Sequence, residues 1–222
     1  MAPPLLHYLA LRGWCCVSAQ YRLIPTHAFP DNVIDVKRCI NWLRRHCDRF
    51  NADPGKLVIA GCSAGGHLAA IAALTPGVAM LQPGFEDADC SVHGVIAMHV
   101  PLDLRKDGAD PDNQLEQWLE RTMIQKAAHE APALFDLVSP MVLVERLATA
   151  QIPPFFVVHG AADSLVPVDQ AQRFVDHLRK RACPVVYVEA PLGQHSFDLL
   201  HTPRALLLCR AIHLWTSTLV PR

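Results

Sequence analysis

The sequence predicts an α/β protein, a mostly parallel sheet with helices on both faces. Three observations predict it. Short apolar runs recur at residues 14–20, 57–60, 91–100, 155–160 and 185–189, and longer amphipathic or small-residue stretches stand between them. Strands spaced this far apart are joined by helical crossovers rather than hairpins, which makes them parallel. Hydrophobic residues make up 51% of the chain and charged residues 18%, enough apolar side chain for a sizeable core. One domain over residues 1–222 is the default at this length.

The elements follow in order. Residues 3–12 read as a short helix stopped by Gly13, and residues 14–20 as a strand. Asp31 is placed as the N-cap of a helix running through Arg45, with Val33, Ile34, Val36, Ile40, Trp42 and Leu43 mostly toward one side. Residues 57–60 read as a buried strand, and residues 64–74 as a small-residue helix able to approach a sheet closely. Residues 91–100 form the next strand. Residues 102–151 differ in character: they are polar, rich in Asp, Gln and Glu, and expected to be helical around 114–130. They read as an insertion covering the strand ends, a cap. Strand 155–160, helix 170–181, strand 185–189 and a final helix over 203–218 complete the chain.

The chemistry concentrates where residues 57–60 run into Gly61-Cys62-Ser63-Ala64-Gly65. Gly-x-Ser-x-Gly between a strand and a helix is the setting of a nucleophile elbow. The turn crowds the backbone, so Gly61 and Gly65 lack side chains, and the Ser63 hydroxyl is lifted clear of the sheet. The Ala64 N–H then lies at a helix N-terminus, where it can stabilise an oxyanion. Five matching residues alone are common in loops; the strand and helix on either side give the match its weight. A phosphate loop fits less well, because no Gly-Lys-Ser/Thr ending and no Gly-x-Gly-x-x-Gly is present.

A serine nucleophile needs an imidazole to take its proton and a carboxylate to orient that imidazole. Asp163 follows the run Phe155–Gly160, and His195 follows residues 185–189. In a parallel sheet both would emerge on the same edge as Ser63. Asp103, after strand 91–100, is the main rival acid, and Asp163 could instead cap the helix near Val168, although Asp169 is better placed for that. His67, one turn past Ser63, reads as a packing or hydrogen-bonding residue behind the elbow. His159 reads as a structural strand-end histidine. Cys62 is a rival nucleophile, but the turn presents the central position, which is Ser63.

A net charge of −1 gives no reason to expect nucleic acid or a strongly anionic surface as partner. Lys37, Arg38, Arg44, Arg45 and Arg49 cluster on one helix and read as a solvated face. The 8 cysteines include no Cys-x-x-Cys and no zinc-like spacing with histidine, so neither a metal nor a cofactor is expected, and a reducing, cytoplasmic setting is the simpler reading. No apolar run reaches the ~20 residues of a membrane span, and the first residues have no signal-peptide layout.

The pattern resembles the α/β-hydrolases of the hormone-sensitive-lipase-like carboxylesterase group, most closely the actinobacterial lipase/esterase type. Beyond the elbow, the resemblance is carried by Arg12-Gly13-Trp14, Tyr21-Arg22-Leu23-Ile24-Pro25, Phe29-Pro30-Asp31 with Asp35-Val36-Lys37-Arg38, and Gln82-Pro83-Gly84-Phe85-Glu86. Pro153-Pro154-Phe155-Phe156-Val157, Asp163-Ser164-Leu165-Val166-Pro167 and Gln194-His195-Ser196-Phe197-Asp198 match as well. It implies an α/β-hydrolase fold and hydrolysis of a small-molecule carboxylic ester through an acyl-enzyme. Ser63 would be nucleophile, His195 base and then acid, Asp163 orienter, and Ala64 N–H an oxyanion donor. Amide or peptide cleavage by the same triad, and a catalytically silent hydrolase-like fragment, are the alternatives. Chain-length preference and oligomeric state stay open.

One departure stands out. The family carries a His-Gly-Gly segment after an earlier strand, which supplies a second oxyanion donor, and nothing before Pro3 can be that segment. The absent strand would lie between residues 14–20 and residues 57–60, leaving both without a backbone partner. A start further upstream, a short protein that repacks or pairs its edge with another chain, and a decayed remnant are the three readings. Met1 falls where the family's first helix begins, which favours the first.

Overall fold

The computed structural model describes residues 3–105, 117, 118, 120–126 and 129–219. Four strands form one parallel sheet: β1 (Val58–Cys62), β2 (Gly94–Met98), β3 (Phe155–Gly160) and β4 (Val185–Ala190), in the spatial order β1-β2-β3-β4. Spatial order follows chain order, so every crossover steps the same way. Right-handed crossovers that all step one way must lie on one face. Those connections carry α3 (Ala64–Leu74), α4 (Pro132–Leu137), α5 (Pro140–Arg146) and α6 (Val168–Lys180). The opposite face needs its own cover, supplied by α1 (Pro3–Ala10) and α7 (Pro203–Leu219) from the two ends of the chain.

The alternation of strand side chains divides the core accordingly. Val95, Ala97, Phe155 and Val157 pack on Ala70, Leu74, Met141, Phe174 and Leu178. Ile96, Met98, Phe156 and Val158 pack on Leu5, Leu9, Leu208 and Ile212. β2 and β3 are buried on both faces, which is why their sequences are continuous apolar runs. Helix α2 (Asp31–Arg45) forms an outer layer, placing Val33, Val36 and Ile40 on Leu68, Ile71 and Ala72 of α3. Lying between sheet and α2, α3 is apolar all round.

Three local readings are corrected. Residues 14–20 form no strand. A strand requires a ladder partner, and β1 lies across a cavity of about 260 Å³ lined by Trp14, Cys16 and Val17 on one side and Val58, Ile59 and Ala60 on the other. Among the described residues no strand pairs with that edge of β1, and β1 is only half-buried. Asp31 is not the cap of α2: Pro30 holds that position, and Asp31 pairs with Arg22 at 2.9 Å while Asp35 takes the same guanidinium at 2.8 Å. Lys37 is not solvated. It is fully buried, donating from Nζ to the Thr75 carbonyl and to Gln82 Oε1, and burial lowers its pKa to about 8.

Part of the region expected as a cap, residues 106–116, 119, 127 and 128, lies outside the described residues. The helix expected around 114–130 is therefore seen only in part, as a π-helical turn at Glu120–Ile124 that buries Met123 and Ile124. Beyond it, Phe135, Val138, Met141 and Val144 are buried against the main core.

His67 sits in α3 with Nε2–H donating to the Val138 carbonyl at 2.7 Å. Burial lowers its pKa to about 4, against which that hydrogen bond works only in part. The imidazole is neutral in the folded chain and protonates in the unfolded chain near its ordinary value. Its contribution is present above about pH 6.5 and is lost as pH falls toward 4, by roughly 3 kcal/mol. Denaturant melts at pH 7 and pH 4.5 are expected to show a smaller acid-induced loss for His67→Gln, which keeps a donor for Val138 but cannot titrate.

Candidate active site

Each of the four strands delivers one polar side chain just past its C-terminal end: Ser63 after β1, His99 after β2, Asp163 after β3 and His195 after β4. At the first of these ends, Ser63 has φ +51° and ψ −124°, a conformation that side chains rarely adopt. It is held by two backbone bonds: Ser63 N–H donates to the Met98 carbonyl at 2.8 Å, and His67 N–H donates to the Ser63 carbonyl at 3.0 Å. A Cβ on Gly61 would come within 2.3 Å of the Gly65 carbonyl, and one on Gly66 within 2.4 Å of Val100. Strand and helix therefore meet backbone to backbone. The Ala64 N–H is the first of α3 and belongs to the set that a helix leaves without an internal acceptor.

The structure brings the predicted residues together. Ser63 Oγ lies 3.0 Å from His195 Nε2, and His195 Nδ1 lies 2.8 Å from Asp163 Oδ2. An ionised carboxylate can only accept, so Nδ1 carries the proton and Nε2 is left to accept from the serine hydroxyl. Asp163 Oδ1 accepts the N–H groups of Leu165 and Val166, each at 2.9 Å. Burial works to raise the Asp163 carboxyl, but these N–H groups and His195 outweigh it and hold it below the ordinary carboxylate value.

The loops of Asp163 and His195 are zippered to each other. Ala161 N–H donates to the Ala190 carbonyl and Ala162 N–H to the Gly193 carbonyl, both at 3.0 Å, and Ser164 bonds Gln194 Oε1 through its N–H and its hydroxyl. A Cβ on Gly160 would fall 2.3 Å from the Gly193 carbonyl oxygen.

The rivals are placed elsewhere. Asp103 is clasped by Arg105 at 2.9 and 3.0 Å, and Gln170 Oε1 accepts its backbone N–H. Asp169 stays exposed, paired with Arg173 at 3.3 Å, and Asp163 caps its own turn rather than α6. His67 lies behind the elbow. His159 is fully buried, with Nε2–H donating to the Val166 carbonyl at 2.9 Å, and burial lowers its pKa. Cys62 donates its thiol to Asp198 Oδ2 at 3.6 Å. Two residues escaped the sequence reading: His99, fully buried, and Asp198, whose Oδ1 accepts from His99 Nε2 at 2.8 Å. Asp198 stood inside a matching segment without a role, and His99 had only its place at a strand end to mark it. Among the described residues no group of three or more side chains is arranged to hold a metal ion, and no helix is long and apolar enough to cross a membrane.

A parallel sheet with a strained Ser turn after one strand and Asp and His loops after two others defines an α/β-hydrolase. Comparison with known proteins places it more closely: the chain belongs to the BD-FAE family, matched over residues 1–178. It is 42% identical over 207 residues to the probable carboxylic ester hydrolase LipM of Mycobacterium tuberculosis, across 92% of this chain and 47% of that protein. It is 38% identical to the esterase LipC of the same organism, across 96% of this chain and 52% of that protein. The chain thus spans about half the length of these curated relatives. Among solved structures, a thermophilic esterase of Thermogutta terrifontis superposes with a TM-score of 0.77 at 27% identity, covering 98% of this chain and 74% of that one. Forms of that esterase have propionate bound or are phosphonylated by sarin.

Gly160→Ala is expected to push the Gly193 loop away and to weaken the His195–Asp163 hydrogen bond. The check is the downfield Nδ1 proton resonance of His195, which should broaden or disappear in a variant that remains folded.

Proposed function

We propose that the chain carries the catalytic machinery of a carboxylic ester hydrolase. The observation that carries this reading is the unbroken hydrogen-bonded line Ser63–His195–Asp163, set on a helix N-terminus at the C-terminal edge of a parallel sheet. The esterase names of its relatives support it, as does the phosphonylated Thermogutta structure.

In this mechanism His195 Nε2 takes the Ser63 proton as Oγ attacks the ester carbonyl, and the Ala64 N–H stabilises the oxyanion. His195, now an imidazolium held by Asp163, gives its proton to the leaving alcohol. It then draws a proton from water as that water attacks the acyl-enzyme, and returns the proton to Ser63 Oγ as the acid is released. The substrate is a small-molecule ester with a small or medium acyl group; of the region read as a cap, α4 and α5 belong to the crossover layer and pack into the main core.

A fluorophosphonate is expected to label Ser63 in the folded chain. Ser63→Ala should abolish labelling and lower hydrolysis of a p-nitrophenyl ester by about 10³-fold or more. Full activity in Ser63→Ala would sink the proposal.

The cavity beside β1 favours a second reading, in which this chain alone is impaired. The cavity has the place of the strand and second oxyanion donor that the resemblance expects. A longer product that includes in-frame upstream sequence should exceed the 222-residue chain in turnover by about 10²–10³-fold. Equal turnover would remove this reading.

A further inference from the structure

Beneath the Ser63–His195–Asp163 line lies a second histidine–carboxylate pair. His99 stands one residue past β2, as Ser63 stands one past β1, and it too has a positive φ, +55°. Its backbone N–H donates to the Val158 carbonyl at 2.9 Å, which ties that turn to β3. The ring is fully buried. Nε2–H donates to Asp198 Oδ1 at 2.8 Å, so the carboxylate fixes which nitrogen carries this proton. Nδ1 has no hydrogen-bond partner among the described residues and lies 4.0 Å from Asp163 Oδ2. The ring also meets the His195 ring with centroids 5.6 Å apart and Phe197 at 5.0 Å, both edge to face.

His99 therefore stands between two buried carboxylates. Asp163 and His159 face it from β3 and its loop, Asp198 and His195 from the loop after β4, and Cys62 reaches it through Asp198. Among the described residues no lysine or arginine pairs with either carboxylate. Burial works to raise the Asp198 carboxyl, and the hydrogen bonds from His99, the backbone and Cys62 outweigh it. His159 Nε2 lies 3.4 Å from Asp163 Oδ2, nearer than His99, while its proton goes to the Val166 carbonyl at 2.9 Å.

We infer that His99 and Asp198 form a positioning pair: Asp198 fixes the tautomer and tilt of the His99 ring, and that ring gives the His195 ring an edge to rest against, keeping His195 Nδ1 in line with Asp163 Oδ2. The strained backbone at residue 99 fits this role, because such strain persists only where the surrounding structure holds it. Through Cys62, Asp198 also ties the residue before the nucleophile to the same unit. The inference rests on the proposed hydrolase chemistry for its kinetic readout and on geometry alone for its spectroscopic one.

The test uses His99→Gln, which keeps a donor for Asp198 but removes the ring, and Asp198→Asn, which keeps shape but removes the charge. In each, kcat for p-nitrophenyl acetate should fall about 10- to 100-fold while KM stays within about two-fold. The double variant should lose no more than the worse single one, because the two act as a unit. The downfield His195 Nδ1 proton resonance, present in the parent chain, should broaden or move in both variants; if His99→Gln does not fold, Asp198→Asn supplies the same readouts. Unchanged kcat and an unchanged resonance, with only a lowered melting temperature, would overturn the inference. So would the absence of that resonance from the folded parent chain, which would leave no hydrogen bond to position. A parent chain that shows the resonance but neither turns over ester nor reacts with fluorophosphonate would sink the hydrolase reading, and loss of the resonance in the variants would still uphold the positioning pair.

Discussion

The site depends on places where two backbones touch with no side chain between them. At Gly61 the end of β1 meets the first turn of α3, and at Gly160 the end of β3 meets the loop after β4. The first contact sets how sharply the chain turns at Ser63. The second sets how far apart the loops of Asp163 and His195 can lie. A hydrogen bond of 2.8 or 3.0 Å tolerates little drift, and backbone contact is the least compressible way of limiting it. Everything further out, from the cross-loop bonds of Ala162 and Ser164 to the burial of α3, keeps those contacts closed.

Connectivity does the rest. Since the strands lie in chain order, each crossover returns over the same face, and each strand presents its C-terminal end to the same edge. Four polar residues separated by as many as 132 positions in the chain thereby become neighbours. The other face is closed by the first and last described helices, which pack together on Ile96, Met98, Phe156 and Val158.

Much of this was legible in the sequence, for a local reason. An apolar run ending in a turn is a property of a few adjacent residues, and so is a glycine where the backbone must crowd. Ser63, Asp163 and His195 each carry both marks or stand beside them. What escaped depends on distant partners. Lys37 reads as one cation of a basic helix face until Gln82 and Thr75 are folded over it. Residues 14–20 have the composition of a strand, but a strand is a pairing, and the nearest edge lies across a cavity. After β2 Asp103 reads as the rival acid; Arg105, two residues on, clasps it, and the histidine at the strand end lies beside Asp163 instead.

The turn at Ser63 has a consequence for the history of such a chain. A serine at φ +51° is strained, by roughly 1–3 kcal/mol, in a way that glycine would not be. The bonds holding the turn, to Met98 and from His67, are backbone bonds and would survive the exchange. The folded chain would then be more stable without its nucleophile than with it. Stability and chemistry pull against each other at this one residue, and relaxation toward the more stable chain would silence the site while leaving the fold intact.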